Sequence, residues 1–194
     1  MAEGNLRLFV AIAFPDEVRA ELKRVAGAMR AFAPRGTRWA NVDGAHLTLR
    51  FIGSTPPDAA PPLGNAVDRA ADGVAPFELS LAGAGVFPPR GAPRVLWVGV
   101  GGALEALIGL RDSLEDAFEA AGIPRDKRAF TPHVTLARVN ARLSRDEAQA
   151  LRELVAALDV RPVAFAVQEF GLYNSDLLST GAVYTRLASA RLVG

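Results

Sequence analysis

The stretch TPHVTLARV, Thr131 to Val139, contains one of the two histidines in this chain of 194 residues. The other, His46, lies in AHLTLRFIG, Ala45 to Gly53, so both histidines open the same pattern, His-x-Thr-Leu. On a strand, alternate side chains share a face. His46 and Thr48 would then point one way with Leu47 and Leu49 behind them, and His133 and Thr135 would do the same over Val134 and Leu136. On a helix, residues two apart diverge by roughly 200°. The pattern therefore makes chemical sense as a strand, with an apolar pair that anchors and a polar pair that faces a cleft.

The surroundings of the two motifs repeat as well. Leu6 to Phe14 predicts a strand, followed by a helix from about Pro15 to Ala31 with proline in its first turn and Val18, Leu22 and Val25 at helical spacing. After AHLTLRFIG come a proline-rich loop, Ser54 to Gly64, and a short helix with Val67, Ala70 and Ala71 on one face. FELSLAGAGVF (77–87) and PRVLWVGV (93–100) predict strands joined by PPRGA as a hairpin. The second half follows the same plan: a helix from about Leu104 to Ala121, the strand HVTLARV, a helix from about Ser144 to Leu158, then VAFAVQEFGLY and AVYTRLA as paired strands. Phe77 lies 31 residues beyond His46 (46 to 77) and Val163 lies 30 beyond His133 (133 to 163). Val95 lies 49 beyond His46 and Val183 lies 50 beyond His133, so the closing strands are also in register. This predicts an internal pseudo-repeat, two similar lobes related by approximate two-fold symmetry, each giving one His-x-Thr to a shared cleft.

Composition sets the bounds. With 50% hydrophobic residues the chain can bury a full core, and its length suits one domain or two closely packed lobes. The apolar run Leu8 to Phe14 is shorter than a membrane span, lacks a basic leader and ends at Pro15-Asp16-Glu17, so it predicts a buried strand in a cytoplasmic protein without a membrane partner. The absence of cysteine excludes disulfides, thiolate zinc sites and cysteine nucleophiles. A net charge of +1 lacks the basic excess for sequence-independent binding along a nucleic acid backbone, while leaving recognition of a single phosphate open.

Imidazole titrates near neutrality, at about 6.5, so two of them can divide the work of a base and an acid. A threonine hydroxyl beside each can donate to a non-bridging phosphoryl oxygen and hold the group in line between them. Arg138 could stabilise charge developing on those oxygens. Strict alternation, however, puts Ala137 on the face of His133 and Thr135, so Arg138 reaches the cleft only through a bulge, a twist or its own length. With no cysteine, no third histidine and no Asp/Glu cluster at ligand spacing, a catalytic metal has little to work with, and neither metal nor cofactor is expected. A 2′,3′-cyclic phosphate fits this chemistry: its strained ring already holds the leaving oxygen and needs an activated water on one side and a proton on the other.

Taken singly, a His-x-Thr on a strand is more often a satisfied structural histidine than a catalyst; its double occurrence at matching places of a repeat favours catalysis. Phe51 and Phe130, near the two motifs, are candidates for stacking on a base or for core packing. Trp97 either walls the cleft or fills a lobe. Arg90 and Arg94, at the hairpin, read as solvated, whereas Lys127 and Arg128 are better placed before the second motif. GVGG before Leu104 fits neither phosphate-loop pattern and reads as a strand-to-helix turn.

AHLTLRFIG and KRAFTPHVTLAR resemble the motifs of the bacterial and archaeal RNA 2′,3′-cyclic phosphodiesterases, historically called 2′-5′ RNA ligases, within the 2H phosphoesterase superfamily. LFVAIAFPDEV, VLWVGV and the closing hairpin extend the resemblance over nearly the whole chain. It implies a bilobal α+β fold, residues 1–194 forming a single domain of two interleaved lobes, each with an antiparallel sheet and outer helices. It also implies metal-independent opening of RNA 2′,3′-cyclic phosphate ends to 2′-phosphomonoesters by a monomer. By residue, His46 matches the general acid, His133 the general base, Thr48 and Thr135 the phosphate-holding hydroxyls and Arg138 the phosphate-side arginine. The alternatives are 2′-5′ joining of RNA ends, the reverse reaction, and a non-catalytic module that binds RNA ends.

Overall fold

The computed structural model describes residues 4–178 and 181–194. Among them are nine strands and four α-helices: β1 Leu6–Ala13, α1 Asp16–Arg30, β2 Thr37–Trp39, β3 His46–Thr55, α2 Ala60–Ala70, β4 Phe77–Phe87, β5 Val95–Gly102, α3 Leu104–Ala120, β6 His133–Val139, α4 Arg145–Ala156, β7 Ala164–Val167, β8 Glu169–Leu178 and β9 Gly181–Arg191. They form two antiparallel sheets, β3-β1-β8-β9 and β2-β6-β5-β4-β7, so the expected two-lobed α+β architecture is borne out.

The helices form for local reasons. In α1, Val18, Leu22, Val25 and Met29 make a buried stripe, and Asp16 and Glu17 complement the dipole at its start. Ser144 caps α4 through a reciprocal capping box with Glu147. One continuous apolar core joins both sheets and all four helices, from Val10 and Leu22 to Leu114, Leu136 and Val155.

Two expectations change, and a third difference is an added strand. VAFAVQEFGLY is not one strand: the chain leaves the five-stranded sheet after Val167 and enters the four-stranded sheet at Glu169, with Gln168 between. Ser54 to Gly64 is not a loop, because β3 runs on to Thr55, a 3-10 turn follows at Pro57–Ala59, and α2 starts at Ala60 with proline in its first turn, where a missing N–H costs nothing. Gly64 lets this helix approach β9, since a Cβ there would lie 3.2 Å from the Ala188 Cβ. The third is a strand that alternation is too short to reveal, β2, which pairs with the outer side of β6.

The halves of the chain also exchange hairpins. The β4–β5 hairpin, which closes the first half, lies in the sheet of the second motif, and the β8–β9 hairpin lies in the sheet of the first.

Candidate active site

His46 is the first residue of β3 and His133 the first of β6, and these two strands, from different sheets, contact each other. Leu47 and Leu49 are buried, as are Val134 and Leu136, while both histidines and both threonines are half-buried on the opposite face. The cross-strand partners repeat: His46 and Thr48 face Ala13 and Ala11 of β1, and His133 and Thr135 face Gly99 and Trp97 of β5.

The two rings are held alike. His46 Nδ1 lies 2.9 Å from the Gly44 carbonyl and His133 Nδ1 lies 2.7 Å from the Thr131 carbonyl, two residues upstream in each case. A carbonyl can only accept, so Nδ1 donates and carries the hydrogen in both rings. Nε2 is left as the nitrogen that takes or gives a proton. Burial pushes the His46 pKa down, opposed by the bond to Gly44.

The register explains Arg138. Trp97 pairs with Thr135, but the next residue, Leu96, pairs with Ala137, so Leu136 is an extra residue in β6. Leu136 and Ala137 both turn inward, and Arg138 emerges, exposed, on the face of His133 and Thr135. The first motif has the same bulge: Ala11 pairs with Thr48 and Val10 with Arg50, leaving Leu49 extra. The leucine of His-x-Thr-Leu is thus the bulged residue in both copies. In the first copy the bulge buries Arg50 and brings Phe51, which strict alternation would hide, onto the His46 face. Phe51 is 57% exposed, and its ring centre lies 6.0 Å from Phe9, which stacks on His46 at 4.7 Å. Phe51 and Arg138 occupy equivalent positions, five residues after their histidines (46 to 51, 133 to 138). Phe130 is placed differently: it is half-buried against the core with the Arg111 guanidinium 4.9 Å over its ring.

Aromatic side chains that sequence reasoning missed complete the site. The Tyr184 ring meets His46 edge-on at 4.9 Å, and the Phe87 ring meets His133 edge-on at 4.9 Å. Trp97, which could wall the cleft or fill a lobe, does the first: it lies on the His133 face, 6.3 Å from that ring and flat over Gly85, where a Cβ would come within 2.3 Å of the indole. A signal for Tyr184 existed in the chain. Trp97 stands 51 residues after His46 (46 to 97) and Tyr184 stands 51 after His133 (133 to 184), so each half's aromatic flanks the other half's histidine. Tyr184 also joins two cavities, one of about 120 Å³ lined by His46, Phe9 and Tyr173, and one of about 810 Å³ lined by Thr135 and Arg138. Burial pushes its phenol up, and the nearby charge of Arg138 opposes that.

Behind the cleft, the inward Arg50 ties β3 to the segment that leads into β6. It lies 3.0 Å from Asp126, 3.5 Å from Glu115 of α3 and donates to the Pro124 carbonyl at 2.7 Å. Glu115 in turn accepts from the Asp126 backbone N–H at 2.9 Å. Arg128, expected to be available beside the second motif, instead forks onto Asp126 and holds that carboxyl far below the usual range. Lys127 is exposed. Among the described residues no three His, Asp or Glu side chains gather as a bound ion would need, and no helix is long and apolar enough to cross a membrane.

Residues 11–177 match the family described as the 2′-5′ RNA ligase superfamily. The chain is 36% identical to an RNA 2′,3′-cyclic phosphodiesterase of Geobacillus stearothermophilus over 96% of its own length and 57% of that relative. It is 31% identical to one of Methanothermobacter thermautotrophicus over 97% of its own length and all of that relative. The crystal structure of E. coli LigT complexed with 3′-AMP is similar, with a TM-score of 0.73 and 28% identity over 98% of this chain and 99% of that one.

Proposed function

The chain belongs to the 2′-5′ RNA ligase superfamily, and on that premise we propose that it opens RNA 2′,3′-cyclic phosphate ends to 2′-phosphomonoesters with its two histidines and no metal. The observation that carries the reading is the matched pair of imidazoles, each tied at Nδ1 to the carbonyl two residues upstream, on facing strands that also bring a threonine apiece. The relatives named RNA 2′,3′-cyclic phosphodiesterase support the substrate, and the similarity to a structure holding 3′-AMP supports a nucleotide in this cleft.

In the proposed reaction, His133 Nε2 takes a proton from water as the oxygen attacks phosphorus opposite O3′. The P–O3′ bond breaks and His46 Nε2 delivers its proton to O3′, leaving a 3′-hydroxyl and a 2′-phosphate. Thr48 and Thr135 donate to the non-bridging oxygens, and Arg138 stabilises the charge that gathers there. Phe51, beside Phe9 on the His46 face, offers a ring to the terminal base. Burial keeps His46 neutral in the empty cleft at neutral pH. The anionic phosphate between the rings restores its proton, because an opposite charge nearby favours the charged form.

The test is incubation with an oligonucleotide ending in a 2′,3′-cyclic phosphate, in EDTA, followed by identification of the product's phosphate position. A 2′-phosphate, with turnover reduced by roughly 10²–10⁴ in His46→Ala and in His133→Ala, is the expected result. A 3′-phosphate, or full activity in either variant, rejects the mechanism. Roles follow from the pH dependence of kcat/KM: with His46 as acid, the alkaline limb belongs to His46 and disappears in His46→Gln, whereas loss of the acidic limb would exchange the two roles.

A further inference from the structure

The strand that sequence reasoning missed places Arg38 of β2 directly opposite Arg138 of β6. Residues directly opposite on antiparallel strands share a face, and like charges there are destabilising. Among the described residues neither arginine has a carboxylate within ion-pair distance, in a chain where ten other such contacts form. Both line the cavity of about 810 Å³ that begins at Thr135 and Tyr184 and continues to Lys23 and Arg30. Its lining holds four basic side chains and no acidic one, although the whole chain is only +1; of the four, Lys23 is paired with Asp43 outside the lining at 2.6 Å. The Arg30 guanidinium lies 4.7 Å over the ring of Trp39, which packs against the core, so the indole backs a flat guanidinium plane of the kind on which unpaired bases stack. Two facing arginines left without counter-charge beside the candidate phosphate site call for more than one anion.

We infer that Arg38 binds the phosphodiester immediately 5′ to the cyclic end, so that this groove carries the penultimate nucleotide of a single-stranded RNA beside the Arg30–Trp39 pair. The inference rests on the proposed function for the place of the terminal phosphate and for the direction of the strand. It makes the protein selective for ends of RNA chains over free cyclic mononucleotides, with Arg138 at the terminal phosphate and Arg38 at the next.

The experiment compares wild type, Arg38→Gln and Arg38→Lys on a 2′,3′-cyclic mononucleotide and on a tetranucleotide ending in the same cyclic phosphate. Fluorescence anisotropy with a 2′-phosphate-ended tetranucleotide gives a readout independent of turnover. For Arg38→Gln, kcat/KM on the tetranucleotide should fall on the order of tenfold, mainly through KM, as expected for one lost charge-assisted contact. On the mononucleotide it should stay within about twofold, and the log–log salt dependence of tetranucleotide binding should become shallower by about 0.7. Arg38→Lys should recover part of the loss. Melting temperature should not fall, because the substitution removes a like-charge contact; a merely structural role would lower it. Equal losses on both substrates, or no loss on the tetranucleotide, overturn the inference. Should wild type turn over neither substrate, the proposed function fails, and the anisotropy still decides Arg38: tenfold weaker binding in Arg38→Gln supports it and unchanged binding rejects it.

Discussion

Replacing Arg50 with methionine probes the ion cluster behind the cleft. Arg50 is 8% exposed and Glu115 is 1% exposed, so removing the guanidinium leaves carboxylates in a poorly solvated place. Breaking a buried pair by deleting one partner commonly costs about 3–5 kcal/mol. Here each carboxylate keeps a second arginine: Arg111 stands 3.6 Å from Glu115, and Arg128 stands 2.7 Å from Asp126. Arg128 is mostly exposed and offsets little. The lost bond to the Pro124 carbonyl adds to the cost. The balance falls near the lower limit, about 2–3 kcal/mol, equivalent to a drop in Tm of roughly 4–12 °C for a chain of this size. Thermal melting and urea titration measure it. Glu115→Gln in the Arg50→Met background removes a buried carboxylate then faced by Arg111 alone and should return part of the loss, so the two substitutions are less than additive. Activity should fall beyond the stability effect, because the cluster holds the segment whose Thr131 carbonyl fixes the His133 ring. A cost below about 0.5 kcal/mol, or a double variant less stable than Arg50→Met alone, would refute the reasoning.

The remaining expectations concern the cleft itself. Since burial depresses the His46 pKa in the folded state, the unfolded chain binds the extra proton first: stability is full above the unfolded value of 6.5 and is lost as pH falls below it through the folded pKa. His46→Gln should flatten that slope in Tm just below pH 6.5, above the range where the carboxylates of Glu21 and Asp126, both held low by arginines, titrate. Gly85→Ala drives a methyl to within 2.3 Å of the Trp97 indole, so overpacking should cost about 1–3 kcal/mol. It should also lower turnover by displacing the His133 wall, seen by melting and by steady-state rates. Arg138→Ala should reduce kcat on cyclic phosphate by roughly 10²–10³, and Arg138→Lys, a point charge without the planar fork, should recover only part.

Much of this was legible from local patterns. The three longer helices begin and end within two residues of where apolar spacing puts them, and His-x-Thr-Leu stands at the start of a strand in both copies, because amphipathic period and alternation are properties of neighbouring residues. What escaped depends on partners distant in the chain. Nothing within VAFAVQEFGLY marks Gln168 as the point where the strand changes sheets; β1 and β4 decide that by offering separate edges. The bulges at Leu49 and Leu136 are set by the register against β1 and β5, so counting faces along one strand could not choose among a bulge, a twist and side-chain length for Arg138, nor decide whether Phe51 faces the cleft or the core. Phe130 could not be distinguished from Phe51 by sequence, since what separates them is Arg111, which α3 brings over the Phe130 ring.

The exchanged hairpins have a consequence for the order in which the molecule comes into being. β1 is synthesised before either of its partners, yet the edge it turns away from β3 is filled by β8, more than 150 residues later, with Leu8 against Asn174 and Val10 against Leu172. Until those residues leave the ribosome, a nascent chain already holds both histidines while β1 still exposes an open strand edge, of the kind that invites mispairing. Tyr184 arrives later still, so the His46 side is built only once β9 has paired with β8. Such long-range pairing slows folding. It also means that a chain broken off before residue 169 contains both histidines and none of the β8–β9 hairpin that flanks His46.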